Sequence, residues 1–141
     1  AIEGSGNDVP IKGTVFISVR DSDKLNVISI ARDIIEMGFK IVATRGTFKS
    51  LRKSGILANS IFKVGEGRPN IVDGIKNGEI NLVINTPTGS KARFDEQSIG
   101  KACIQKKILI ITTLSGASAV IRAIRLYDKK KQVKSIQEYH A

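Results

Sequence analysis

Short apolar runs alternate with segments of helical periodicity along this chain. The first run, residues 14–19, is almost continuously apolar, which is typical of a strand buried on both faces of a parallel sheet. Apolar residues then recur at helical spacing from Lys24 until Gly38, a residue type that commonly ends a helix. Residues 21–23, Asp-Ser-Asp, offer N-cap side chains just before this helix. A strand followed by a helix is thus the repeating unit.

The same criteria predict the later elements. Further strands are predicted at residues 39–43, 60–64, 81–85 and 107–111. Further helices are predicted at 47–53, 71–76 (with Pro69 at the first helical position), 92–105 and 115–127. This alternation predicts a single α/β domain with a parallel sheet, spanning residues 13–141 and preceded by a flexible lead-in over 1–12.

Polar turns follow nearly every predicted strand. They occupy residues 18–20, 44–47, 63–67, 85–89 and 112–113. Ligands of parallel α/β sheets bind outside the carboxyl ends of the strands. Because the strand ends meet at one edge of the sheet, these turns predict a single binding site there.

The turn at residues 43–47, Ala-Thr-Arg-Gly-Thr, is the strongest candidate for anion binding. It precedes a predicted helix, whose free N–H groups and dipole favour an anion. The hydroxyls of Thr44 and Thr47 could donate to a phosphate, and Gly46 allows close backbone approach. Lys24 and Lys63 follow other strands at the same edge and could supply countercharge. The alternative is that Thr44, Gly46 and Thr47 are ordinary turn residues. Each of the two lysines, taken singly, could likewise be an ordinary surface residue.

A second polar turn suits the rest of a phosphorylated ligand. Asn85 can donate and accept at once, which fits a nucleobase edge or a ribose hydroxyl. With Thr86, Pro87 and Thr88 it forms a polar shelf after the fourth strand. The alternative is that Asn-Thr-Pro-Thr-Gly is simply favourable turn sequence.

Residues suited to catalysis are scarce. The only histidine, His140, lies in the tail, and the only cysteine, Cys103, lies in a helical pattern as a predicted core residue. No metal-ligand cluster or nucleophile–base pair is present in the sequence. The pattern therefore favours binding over catalysis, and the lone cysteine favours a cytoplasmic setting.

The net charge of +10 has three explanations: nucleic-acid binding, attraction of a small anion, or separation from a larger chain. Aromatic residues make up only 5% of the chain, which disfavours nucleic-acid binding by stacking. Residues 129–131, Lys-Lys-Lys, are expected to be a solvated run. The absence of an initial Met and the linker-like residues 4–8 indicate a piece of a longer protein. No apolar run approaches the ~20 residues of a membrane span, so no membrane partner is expected.

Five segments together resemble the methylglyoxal synthase-like domain, in the order and spacing found in the C-terminal allosteric domains of carbamoyl phosphate synthetase large subunits. The segments are residues 18–24 (SVRDSDK), 43–47 (ATRGT), 63–69 (KVGEGRP), 75–79 (IKNGE) and 84–89 (INTPTG). The final residues 135–140, SIQEYH, resemble the end of that subunit. The resemblance implies a three-layer α/β/α sandwich with a five-stranded parallel sheet.

The resemblance also implies ligand roles for individual residues. Lys24, Thr44, Gly46, Thr47 and Lys63 match positions that hold the effector phosphate. Ser18, Asn85, Thr86, Pro87 and Thr88 match positions beside the ribose and base, and Thr112 matches a threonine near ornithine. Pro87 stands where the enteric-type pattern carries threonine, so one hydroxyl is lost on the base side.

The implied ligands are nucleotide effectors of the uridine monophosphate (UMP) and inosine monophosphate (IMP) type. The implied protein partners are the synthetase domains of the same subunit and a small glutaminase subunit, in an enzyme of pyrimidine and arginine biosynthesis. No cofactor is expected in this domain, whereas the whole ligase uses ATP, Mg²⁺ and K⁺. The alternative is a stand-alone lyase acting on dihydroxyacetone phosphate, which the glutamate in the glycine-rich turn and the lack of a histidine there disfavour.

Overall fold

A computed structural model describes residues 10, 12–87 and 93–140. The predicted lead-in over residues 1–12 lies almost entirely outside the described residues, as do Thr88 and Gly89 of the polar turn.

A parallel sheet of five strands forms the centre of the molecule. Its spatial order is β3-β2-β1-β4-β5. The strands are β1 (Thr14–Ser18), β2 (Lys40–Ala43), β3 (Asn59–Ser60), β4 (Leu82–Asn85) and β5 (Ile110–Ile111). In register, Ile17 of β1 lies beside Ala43 of β2 and Ile84 of β4, so these three strands end at the same level. The predicted parallel α/β fold is confirmed.

Helices cover both faces of the sheet. They are α1 (Val27–Glu36), α2 (Arg45–Lys53), α3 (Ile71–Lys76), α4 (Arg93–Lys106) and α5 (Leu114–His140). Successive side chains of a strand point to opposite faces. Val15 and Ile17 of β1 therefore pack in one cluster with α1, α2 and α5, whereas Phe16 packs in the other with α3 and α4. These two apolar clusters give the three-layer α/β/α arrangement that the resemblance implies.

The core side chains are fully enclosed, and Phe16, Ile17 and Ile84 are 0% exposed. Burial of a side chain of this size contributes ~1.5–3 kcal/mol to folding. Cys103 is likewise 0% exposed in the α3–α4 cluster, which confirms its predicted place in the core. Burial raises the pKa of its thiol to about 11.

The predicted starts of α1 and α3 are wrong. Residues 21–23 do not cap α1 but form a 3-10 turn (Asp21–Asp23), and α1 begins only at Val27. The two carboxylates of this turn pair instead with Arg20 and Lys24. Pro69 lies outside α3, because Asn70 and Asp73 form a capping box that starts the helix at Ile71.

The third and fifth strands are clearly shorter than predicted, and the last helix is much longer. After β3 the chain leaves β2, and Phe62 forms a bridge with Asn70 instead. Before β5, Lys107 has a φ of 56° and the Ile108 N–H donates to the Cys103 carbonyl (2.8 Å), so these residues finish α4. Helix α5 continues beyond the predicted end at 127 to His140, because residues 117–140 contain neither Gly nor Pro. The side chains of Lys129 and Lys130 are exposed, as expected for a solvated run.

Candidate anion-binding site

A cavity of about 390 Å³ opens at the carboxyl edge of the sheet, where β1 and β2 end. Its lining residues are Ser18, Val19, Arg20, Asp21, Ser22, Lys24, Thr44, Gly46, Thr47 and Lys63. All five residues predicted to hold a phosphate therefore lie around one cavity. They come from three separate strand ends, which the parallel topology brings together.

Helix α2 presents its N-terminus to this cavity. Thr44 has an extended backbone (φ −70°, ψ 159°) and is the N-cap, so α2 begins at Arg45 rather than at the predicted residue 47. The first intrahelical bond runs from the Phe48 N–H to the Thr44 carbonyl (2.7 Å). The N–H groups of residues 45–47 precede this bond, so they have no acceptor within the helix. The Thr44 side chain does not cap them either. This geometry and the helix dipole favour an anion at this point.

The Thr44 hydroxyl connects the helix to the sheet. It donates a hydrogen bond of 2.8 Å to Ser18 Oγ at the end of β1. Both residues are buried, with exposures of 3% for Thr44 and 8% for Ser18. The predicted direct contact of the Thr44 hydroxyl with phosphate therefore competes with an existing internal hydrogen bond.

Thr47 has a related structural function. Its Oγ1 accepts a hydrogen bond from the Val19 N–H (3.1 Å) and thereby holds the segment after β1 against α2. Because a hydroxyl that accepts still has a proton to donate, Thr47 keeps a donor for a further partner.

Gly46 lies inside the first turn of α2, not in a flexible turn as predicted. A Cβ at this position would lie 2.9 Å from Lys24 Nζ, so the ammonium group sits directly over the helix N-terminus. The backbone at Gly46 does not need a glycine, since its φ is not positive, but the missing side chain leaves this space to the Lys24 ammonium.

Among the described residues, three basic side chains and one carboxylate belong to the lining. Lys24 pairs with Asp21, and Arg20 pairs with Asp23 at 2.9 Å. The Lys24 ammonium holds the pKa of the Asp21 carboxyl below its usual value, and Lys63 adds to this effect. The backbone of Lys63 is held by its own turn, where the main-chain N–H of Lys63 donates to Glu66 Oε1 at 2.8 Å.

A smaller cavity of about 30 Å³ adjoins the first, sharing Ser18, Thr44 and Lys63. Its other lining residues are Phe16, Val64, Ile71, Asn85, Thr86, Glu96 and Ile99. The structure thus brings Asn85 and Thr86 close to the five residues that are predicted to hold a phosphate. Thr86 also positions the segment after β1: its Oγ1 accepts from the Arg20 N–H (2.9 Å) and its N–H donates to the Ser18 carbonyl (3.0 Å).

Two of the predicted residues that the structure describes line neither cavity. Pro87 is exposed and lines neither cavity, and Thr88 lies outside the described residues. Thr112 is exposed after β5 and also lines neither. Arg20, Asp21 and Ser22 also line the larger cavity, although the sequence pattern does not group them with the five residues predicted to hold a phosphate. Their place directly after β1 was the signal that could have found them.

Comparison with known proteins identifies the family. The sequence-family model of the methylglyoxal synthase-like (MGS-like) domain matches residues 26–112, which is more than half of the chain. The chain belongs to the MGS-like domain family.

Relatives of this MGS-like domain are much longer proteins. It is 48% identical over 138 residues to the carbamoyl phosphate synthase large chain of Archaeoglobus fulgidus, covering 96% of this chain but 13% of that protein. It is 43% identical to the C-terminal section of the carbamoyl phosphate synthase large chain of Aquifex aeolicus, covering 96% of this chain and 26% of that protein. The domain thus spans only a small part of these relatives.

The fold is shared with a solved structure of methylglyoxal synthase from Elizabethkingia anophelis. The TM-score is 0.62 at 15% identity, with 80% of this MGS-like domain and 79% of that chain covered. At this identity the likeness shows the fold alone.

The larger cavity of this MGS-like domain combines basic side chains with a helix N-terminus, and both favour an anion. Among residues 10, 12–87 and 93–140, no group of three or more His, Cys, Asp and Glu could hold a metal ion. Nor does the described part of the chain contain a helix with the length and apolarity needed to cross a membrane.

Proposed function

We propose that this domain is the regulatory domain of a carbamoyl phosphate synthase large chain and binds a nucleoside monophosphate, such as UMP or IMP, at the carboxyl edge of its sheet. The observation that supports this most is the cavity in which Lys24 and Lys63 flank the N-terminus of α2. The choice of parent enzyme rests on the relatives named above, since those carbamoyl phosphate synthase sequences contain a segment that is 43–48% identical to this chain.

The two adjoining cavities offer different groups to such a ligand. The larger one, with its basic side chains and helix N-terminus, suits the phosphate. The smaller one, at about 30 Å³, has room for a single hydroxyl or water rather than for a nucleoside. Its polar side chains Asn85 and Thr86 suit a ribose hydroxyl, and the rest of the nucleoside is proposed to lie in the larger cavity or outside both.

Within the whole enzyme, the proposed partners are the synthetase domains of the same chain and a small glutaminase subunit, in the cytoplasm. ATP, Mg²⁺ and K⁺ are proposed to serve those other parts. Thr112, at the end of β5 and outside both cavities, is the proposed ornithine-proximal residue. Effector binding changes the enzyme only through different affinities for its two states, typically by ~1–3 kcal/mol of coupling.

The lyase alternative receives less support from the site. In the part of the chain that the structure describes, Asp21 is the one carboxylate that lines the larger cavity, and it is paired with Lys24. A carboxylate held in its ionised form by a neighbouring ammonium is a weak base. Release of inorganic phosphate from dihydroxyacetone phosphate by the purified chain, abolished in Thr44→Ala, would establish the lyase and contradict the regulatory proposal.

Calorimetric titration with UMP and IMP tests the binding proposal directly. Lys63→Ala is expected to weaken binding about tenfold or more, since a charge-assisted hydrogen bond contributes ~1.5–3 kcal/mol. The matched control is Lys76→Ala, which removes an exposed lysine at the end of α3 that lines neither cavity. The proposal is wrong if neither nucleotide binds at millimolar concentration, or if both variants lose affinity equally.

A further inference from the structure

We propose that the Asp21 carboxylate is an internal competitor for the anion: it occupies Lys24 in the free protein, and an incoming phosphate has to displace it. This inference rests on the proposed function, because it concerns the same cavity. Asp21 would then set both the affinity of the cavity for anions and its selectivity among them.

The first observation is the position of the ion pair. Asp21 and Lys24 both line the larger cavity and are paired with each other. Lys24 Nζ also lies over the first turn of α2, as its distance of 2.9 Å from a Cβ built on Gly46 shows. The cation that faces the helix N-terminus is therefore already neutralised by a carboxylate from the same chain.

The second observation is an asymmetry in burial. The Lys24 side chain is 25% exposed, whereas the Asp21 side chain is 94% exposed. The ammonium is held by its surroundings, but little packing holds the carboxylate in place. Exposed ion pairs contribute little to stability, so Asp21 can turn away from Lys24 at small cost.

The third observation concerns the other charges near Asp21. Arg20, on the same segment, is paired with Asp23, and Lys63 approaches from the turn after β3 and acts on Asp21 through its charge. A bound phosphate would therefore share Lys24 and Lys63 with a carboxylate of like charge. The competition favours a dianionic phosphate over singly charged anions, because the dianion gains more from each lysine.

The test is a titration of the 141-residue chain with inorganic phosphate at constant ionic strength, followed by the amide NMR signals of Thr44, Gly46 and Thr47. Asp21→Asn keeps the shape but removes the charge. It is expected to bind phosphate about three- to tenfold more tightly, the range for removing one nearby like charge at a partly solvated site. Asp21→Glu retains the charge and is expected to bind like the wild type.

Asp33→Asn is the matched control, since it removes a carboxylate paired with Arg125 on α5 that lines neither cavity. Its affinity is expected to stay within about twofold of wild type, because this exposed carboxylate is screened by salt and lies outside both cavities. Unchanged or weaker binding by Asp21→Asn would overturn the inference, as would an equal gain in Asp33→Asn. A wild-type protein and variants that all fail to bind phosphate would contradict the proposed function itself.

Discussion

Thr44 Oγ1 donates a hydrogen bond of 2.8 Å to Ser18 Oγ, and this contact joins the N-cap of α2 to the end of β1. Both side chains are buried and line both cavities. The contact therefore fixes the distance between the helix N-terminus and the strand end, on which the shape of the anion site depends.

Loss of either hydroxyl is expected to lower stability. Thr44→Val keeps the volume of the side chain but leaves the buried Ser18 hydroxyl without its donor, at a cost of ~1–3 kcal/mol in the free energy of unfolding. Urea denaturation of Thr44→Val, Ser18→Ala and the double variant measures the coupling. We expect the two losses to be non-additive by at least ~0.5 kcal/mol. Simple additivity would show that the hydrogen bond contributes nothing.

Thr47 tests whether its hydroxyl supports the fold. In Thr47→Val the buried Val19 N–H loses its acceptor, so we expect a loss of ~1–3 kcal/mol in the free energy of unfolding. Thr47→Ser keeps the acceptor and is the control, with a smaller loss from the missing methyl group. Equal stability of the Val and Ser variants by urea denaturation would contradict this structural function.

The sequence predicts the sheet well because buried parallel strands are nearly continuous apolar runs, as in residues 14–19. It predicts the helix starts less well, because several side chains compete as caps. Helix α3 begins after Asn70 rather than at Pro69, because Asn70 and Asp73 form reciprocal cap hydrogen bonds. Thr44 is the N-cap of α2 through its backbone conformation alone. Such choices depend on the tertiary position of each turn, which local sequence does not contain.

The candidate site could also be predicted only in part: its residues could be grouped from the sequence, but the contacts between them could not. Which strand ends carry polar turns is a property of the sequence, so Lys24, Thr44 and Lys63 could be grouped from the order of residues alone. That the hydroxyl of Thr86 serves the Arg20 N–H could not be predicted. The contact arises only when β4 pairs with β1, because 66 residues separate the two partners along the chain.

The capping box of α3 predicts a specific response to acid. The Arg68 guanidinium and, less strongly, the Asn70 N–H hold the pKa of the Asp73 carboxyl below its usual value. A lowered folded-state pKa means that this carboxylate stabilises the fold above the unfolded pKa, about 4. The stabilisation is lost as the pH falls through the lower folded-state pKa. Asp73→Asn should therefore lose stability at neutral pH and show a shallower decline below about pH 4.

Urea denaturation across a pH series measures this effect. Asp33→Asn is the control, because it removes a carboxylate of α1 that takes no part in a capping box. A decline in acid as steep in Asp73→Asn as in the wild type would show that Asp73 is not a source of the pH dependence.

Cys103 is expected to be unreactive in the folded protein. Its thiol pKa of about 11 and its exposure of 0% both suppress thiolate attack. Compared with a free thiol of pKa near 8.5, the pKa alone reduces the thiolate fraction at pH 8 by roughly 100-fold or more. Reaction with a disulfide reagent, followed by absorbance with and without urea, checks this. Labelling in buffer as fast as in urea would contradict the buried position.

Gly46→Ala separates ligand binding from stability. Alanine is favoured over glycine within a helix by ~1 kcal/mol, and φ at this position is not positive, so α2 itself tolerates the change. The new Cβ would meet only Lys24, at 2.9 Å from Nζ and 3.4 Å from Cε, and this flexible chain end can move aside. We therefore expect unchanged or higher stability but weaker phosphate and nucleotide binding, because Lys24 leaves the helix N-terminus.

Gly100→Ala on α4 is the matched control, since a Cβ there meets nothing within 4 Å. It should raise thermal stability by the same helix preference while leaving the affinity for UMP unchanged, as measured by calorimetry. If Gly46→Ala binds as tightly as Gly100→Ala, the position of the Lys24 ammonium over α2 does not matter for binding. If Gly46→Ala instead loses stability, the helix N-terminus cannot accept even one methyl group, and the space over Gly46 is needed for folding rather than for the anion.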